Sequence, residues 1–188
     1  TSLYAKQPTV YYGLMYLAKN AKKEVKIHTP YIICNDYMYN ELKNIKVPTT
    51  IMTNSAENNG NIFGAVDYLN HKKDIINTGV TIKEYEGGIS YHGKSMTIDD
   101  DIAIVGSFNM DMRSAYIDTE LMLVINSKDI NKQLKASMEE YEKKAATVKN
   151  ETEYSHIPEG MKMKELSDKK KNIKAWFGWA MNGLRFLF

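Results

Sequence analysis

Residues 91–125 read YHGKSMTIDDDIAIVGSFNMDMRSAYIDTELMLVI. Ser95 to Ile98 and Ile102 to Val105 are short apolar runs separated by Asp99-Asp100-Asp101, and that acidic triplet has the turn chemistry of a hairpin. Glu120 to Ile125 predicts a further strand. His92 and Lys94 are two residues apart at the start of the first strand, so their side chains leave the same face. Gly106-Ser107-Phe108-Asn109 follows the second strand. There a glycine permits close backbone approach, while a hydroxyl and an amide two apart supply donors on one side. A neutral imidazole beside a fixed cation suits attack on an anionic centre, and the donor pair suits holding a phosphate.

Working outward from this segment, helix and strand alternate. Val10, Leu14, Leu17, Ala18 and Ala21 recur at helical spacing between Pro8 and Ala21. Val25 to Thr29 alternates as a strand that breaks at Pro30, and Asp36 is expected to cap a short helix through Lys43. Thr49 to Thr53 predicts a second strand, Ile62 to Asn77 a helix closed near Gly79, and Val80 to Tyr85 a third strand. Downstream, Ile130, Leu134, Met138 and Tyr141 predict a long helix from Lys128 to Val148, and Ser155 to Gly160 reads as a linker. The whole predicts an α/β fold with a mixed β-sheet flanked by helices on both faces. Residues 1–150 form the catalytic domain in this reading, and residues 151–188 a linker and a basic amphipathic C-terminal helix.

The length of 188 residues with 43% apolar and 26% charged residues suits one packed domain and excludes a wholly disordered or fibrous chain. Residues 162 to 188 carry seven basic and two acidic side chains, a net +5, against 18 basic and 21 acidic, a net −3, in residues 1 to 161. A nucleic-acid groove should carry its cations beside the site, so this distribution speaks against a polyanion-coating role. Cys34 is the only cysteine, which excludes an intrachain disulfide and a cysteine-based zinc site. No run of about 20 apolar residues is present. The first residue, Thr1, predicts a piece of a longer polypeptide.

The spacing His-x-Lys-x-x-x-x-Asp, filled by His92, Lys94 and Asp99, followed by Gly-Ser-x-Asn at Gly106 to Asn109, resembles the phospholipase D superfamily. The longer string GSFNMDMRSAYIDTE resembles the second motif region of bacterial cardiolipin synthases, and KIHTPYI, residues 26 to 32, resembles a strand and loop upstream of it. The resemblance covers roughly residues 8 to 145 and implies a set of roles. His92 is the nucleophile that forms a phosphohistidine. Lys94, Asn109 and Ser107 hold the phosphoryl oxygens. Glu120 hydrogen-bonds the motif histidine, and Asp99 is mainly structural, holding the motif's backbone and lysine region. No metal and no cofactor is implied. The substrate implied is a phospholipid, phosphatidylglycerol in a cardiolipin synthase, at a membrane whose cytoplasmic side is expected.

The superfamily supplies a general acid from a second copy of the motif, and this chain has one copy. His71-Lys72-Lys73 has Thr78 where the motif needs aspartate, and reads as a solvated helix segment. Either a missing N-terminal half carries the first motif or two copies dimerise, and the missing half is the favoured reading. His28 is left out of the site as a structural histidine, and His156 is read as solvated. Asp111 and Arg113 either line the cleft or form a salt bridge at a helix start. From Ile173 onward, Trp176, Phe177, Ala180, Met181, Leu184, Leu187 and Phe188 share a helical face opposite Lys171, Lys174 and Arg185. That pattern predicts contact with a membrane surface or docking on the missing half. A phospholipase D-type hydrolase, a phosphodiesterase or nuclease active as a homodimer, and an isolated non-catalytic module remain alternatives.

Overall fold

A computed structural model describes residues 7–177 and Arg185. The elements in chain order are α1 (Thr9–Lys19), β1 (Val25–His28), β2 (Ile32–Ile33), α2 (Asp36–Lys43), β3 (Thr49–Asn54), α3 (Ile62–Ile76), β4 (Thr81–Tyr85), β5 (Ser95–Ile98), β6 (Ile102–Gly106), β7 (Met110–Asp111), α4 (Met112–Tyr116), β8 (Met122–Asn126), α5 (Lys128–Glu142), β9 (Ala145–Val148), β10 (Tyr154–His156) and α6 (Asp168–Phe177). Eight strands form one sheet in the order β10-β9-β4-β3-β1-β5-β6-β8, while β2 and β7 pair separately. The centre, β4-β3-β1, is parallel, and β5, β6, β8, β9 and β10 join antiparallel. The mixed α/β sheet expected from the sequence is therefore present.

Alternation along β1 sorts its two faces. Val25 and Ile27 enter the large core with Tyr11, Leu14 and Met15 of α1, Met38 and Leu42 of α2, and Tyr68 and Ile75 of α3. Lys26 and His28 face α5, where Lys26 Nζ lies 3.0 Å from Glu139 and His28 Nε2 lies 3.2 Å from Glu142. His28 is buried, its other ring nitrogen 3.3 Å from the Tyr91 hydroxyl, as suits a structural histidine. Burial holds its pKa below the ordinary imidazole value. Glu142 is drawn down to about 2; burial works against this, but hydrogen bonds from His28 and Lys83 outweigh it.

Several local expectations are corrected. The cap of α2 is Asn35, whose side chain accepts the Met38 N–H, and Asp36 is the first helical residue. The helix from Lys128 stops at Glu142 instead of Val148, because Ala145 and Ala146 are buried as a strand on the outer edge of β4. Val148 continues the apolar spacing of Tyr141, but the pairing supplied by β4 decides its conformation. Tyr154–His156 forms β10 where a linker was read from Ser155, with the Tyr154 hydroxyl 2.5 Å from Glu84. Lys72 is not solvated: it is buried 2.7 Å from Glu84, and the Tyr68 hydroxyl donates to the same carboxylate at 2.6 Å.

The hairpin between β5 and β6 forms as expected, with Asp99 at φ 51° in the left-handed region. Its carboxylate accepts the backbone N–H groups of Lys22, Lys23 and Glu24 at 2.7–3.1 Å. Burial raises its pKa, yet those three donors together with the Lys23 ammonium prevail and hold it below the ordinary aspartate value. Replacing Asp99 by alanine is expected to cost about 1–3 kcal/mol of stability at pH 7. A depressed folded pKa contributes stability that is present above the unfolded value and lost as pH falls through the folded one. The gap between the two proteins, measured by urea unfolding, should therefore narrow below about pH 4.

Candidate active site at one end of the sheet

The strand directions gather the polar residues. His28, at the C-terminal end of β1, pairs with Ser95 at the N-terminal end of β5; Ser95 pairs with Val105, and Gly106 with Met122. Lys94, Gly106 and the start of β8 therefore share one end of the sheet. The loops that follow β1, β3 and β4 emerge there as well, because those strands run parallel. The short β2–β7 ladder, which no sequence periodicity announced, ties the β1 loop to the segment after Asn109. A second tie is the Thr29 hydroxyl, which accepts the Met110 N–H at 3.1 Å.

His92 is exposed, with Nε2 3.0 Å from the Tyr31 hydroxyl. Lys94 Nζ lies 2.7 Å from His92 Nδ1 and donates to the His92 carbonyl at 2.8 Å. The side chains thus meet as their two-residue spacing predicts. Partial shielding of the ring from water lowers the His92 pKa, and the Lys94 charge adds to the effect. The pKa of Lys94 is lowered by burial against the opposing pull of Glu120 and Asp111. The His92 shift favours a neutral imidazole at neutral pH.

The Gly-Ser-x-Asn turn lies alongside. A Cβ on Gly106 would stand 2.1 Å from the Leu121 carbonyl oxygen, so only glycine lets β6 approach the start of β8 this closely. Ser107 donates to Glu120 and accepts the Leu121 N–H at 3.1 Å. The second Glu120 oxygen accepts the Ser114 hydroxyl at 2.7 Å, and that hydroxyl in turn accepts the Asn109 N–H at 3.2 Å. Asp111 caps α4 by accepting the Ser114 N–H at 2.6 Å, and burial raises its pKa to about 6. The Asn109 side-chain oxygen is buried without a hydrogen-bond partner, a polar atom left to be satisfied in the site.

The sequence-predicted residues are therefore partly reassigned. His92, Lys94, Ser107, Asn109 and Glu120 come together at this end. Asp99 does not: five residues of extended chain place it about 16 Å from Lys94, and the lysine region it holds is Lys22 to Glu24. The Glu120 carboxylate bonds Ser107 and Ser114 rather than the motif histidine, whose ring partners here are Tyr31 and Lys94. Arg113 pairs with Asp118 at 3.0 Å, which is the salt-bridge reading of that residue. Tyr31 was missed. Its only signal was its place one residue after Pro30, at the end of a strand that leads into the cleft. Among the described residues no cluster of His, Cys, Asp or Glu suits a metal ion.

Residues 14–141 match the family described as "Cardiolipin synthase, PLD-like domain". Cardiolipin synthase 1 of Staphylococcus epidermidis is 31% identical over 157 residues, which cover 82% of this chain and 31% of that protein. The chain thus spans about a third of the length of this curated relative. Among solved structures, phosphatidylserine synthase of Haemophilus influenzae superposes with a TM-score of 0.66 at 17% identity, covering 93% of this chain and 44% of that one. The phospholipase D family member Nuc of Salmonella typhimurium gives 0.60 at 17% identity, covering 73% and 89%. At such identities these two likenesses establish the fold.

Proposed function

The chain belongs to the cardiolipin synthase, phospholipase D-like family, and from that membership we propose that it forms one catalytic half of a phosphatidyltransferase acting on phosphatidylglycerol through a phosphohistidine at His92. The observation that carries the reading is the exposed His92 ring, held against Lys94 with its pKa depressed, at the end of the sheet where the Gly106–Asn109 turn also lies. An arriving phosphodiester competes for the Lys94 ammonium and draws it off the ring. The freed lone pair then attacks phosphorus, a nitrogen–phosphorus bond forms, and the bond to the departing glycerol oxygen breaks. Lys94 and the Asn109 amide N–H offset charge on the phosphoryl oxygens. Glu120, through Ser107 and Ser114, fixes the turn that presents Asn109. In the second step an acceptor alcohol passes its proton to the group that protonated the departing glycerol, attacks the same phosphorus and breaks the nitrogen–phosphorus bond, which releases the imidazole.

The departing alkoxide needs a proton from the far side of phosphorus, and this half has one motif. A second motif-bearing segment completes the site. In support, β8 is an edge strand that among the described residues pairs with β6 alone, and Leu121, just before it, and Leu123 on it are 76% and 57% exposed. The membrane side of the proposal rests on α6, where Lys169, Lys171, Lys174 and Trp176 are exposed. No helix among the described residues is long and apolar enough to cross a membrane. Arg185, expected on the polar face of that tail, instead bonds the buried Asp67 at 2.7 Å; Ala180, Met181, Leu184, Leu187, Phe188 and the side chain of Phe177 lie outside the described residues.

The test is the product. Given phosphatidylglycerol vesicles, the completed enzyme should release cardiolipin and glycerol in equal amounts, and Lys169, Lys171 and Lys174 changed together to glutamine should sediment less with those vesicles. Phosphatidic acid as the dominant product would replace the transferase with a hydrolase.

A further inference from the structure

The loop that delivers His92 has no regular structure, yet it is tightly held. Asn54 accepts the Tyr91 N–H at 2.8 Å and donates to the Tyr91 carbonyl at 2.9 Å. Asn58 donates to the Ile89 carbonyl at 3.1 Å and accepts the Gly88 N–H at 3.1 Å. The Gly60 N–H donates to the Ser90 hydroxyl at 3.0 Å. The segment from Asn54 to Gly60 is thus a template for residues 88 to 91, immediately before the proposed nucleophile.

What holds the template is the C-terminal segment, which lies beyond the matched residues 14–141. Lys170 of α6 is 7% exposed, and its ammonium donates to the carbonyls of Ala56 at 2.8 Å, Glu57 at 2.5 Å and Asn59 at 3.0 Å. Three donors meet three acceptors. The Glu57 carboxylate lies 3.8 Å from Lys170 and accepts the Ser167 N–H at 2.9 Å, at the start of α6. The tail touches the core again at Arg185, which bonds Asp67 and the Cys34 carbonyl, the latter just past Tyr31 and β2. Burying a lysine is costly, and a lysine that faced solvent would suffice merely to keep α6 soluble.

We propose that Lys170 is a positioning residue: it clamps the loop from Ala56 to Asn59, and through Asn54 and Asn58 fixes the loop that presents His92. Its bearing on catalysis rests on His92 being the nucleophile; the clamp itself does not.

The experiment replaces Lys170 by methionine, which keeps the stem and removes the three donors, in the full chain. Amide hydrogen exchange at Gly88 and Tyr91 should quicken about tenfold while amides of β1, β3 and β5 stay within about twofold. In the completed enzyme kcat should fall about tenfold with KM within about twofold. Faster exchange everywhere alike, or unchanged exchange at Gly88 and Tyr91, overturns the clamp. Local loosening with kcat unchanged leaves the clamp standing and overturns the positioning role. Should the methionine variant not fold, Glu57→Gln is read the same way, with about threefold faster exchange at the same two amides expected and uniform or absent change contradicting it.

Discussion

Replacing His92 by alanine is expected to abolish phosphatidyl transfer by the completed enzyme, lowering kcat by at least about 10⁴-fold, the scale on which covalent enzymes lose rate without their nucleophile. Fold should survive. The ring is exposed and its bonds run only to Tyr31 and Lys94 among the described residues, so a stability change within about 1 kcal/mol is expected in urea unfolding. Large loss of rate with intact stability separates a chemical role from a structural one. The same substitution at His28 should do the reverse, since His28 is buried between Glu142 and Tyr91.

The second large effect concerns the missing acid. Alone and monomeric, this half should turn over phosphatidylglycerol about 10²- to 10⁴-fold more slowly than when joined to a segment carrying the other motif. The leaving alkoxide otherwise has no positioned proton donor, whatever the quality of the His92 and Lys94 pair. Sedimentation and rate measured on the same samples decide the matter. A monomer fully active by itself would contradict the half-site. A rate rising steeply with concentration as dimers form would assign the second motif to another copy, and the exposed edge of β8 is where either partner would be sought.

Much of this arrangement was legible in the sequence because it is local. His92 and Lys94 lie two apart beside a strand, and Ser107 and Asn109 lie two apart after a glycine, so strand geometry alone brings each pair to one side. The central strands were legible too, since alternation and breakers bound them. What escaped depends on contacts distant in sequence. Nothing near Glu120 says that its oxygens bond Ser107 and Ser114, 13 and 6 residues away. Asp99 carries the motif spacing but serves the turn after α1, some 76 residues upstream. Ala145 to Val148 fit a helix until the free edge of β4 is considered. Lys170 is the middle of three consecutive lysines, and only the carbonyls of Ala56, Glu57 and Asn59 distinguish it from Lys169 and Lys171.

The most direct test is to stop the completed enzyme with acid-free denaturant during turnover of phosphatidylglycerol, digest it, and weigh the peptide containing His92. The account predicts a phosphatidyl adduct on that histidine, its nitrogen–phosphorus bond lost in acid, and missing from the His92→Ala protein. A turning-over enzyme whose His92 peptide never carries phosphorus, or carries it on another residue, would contradict it.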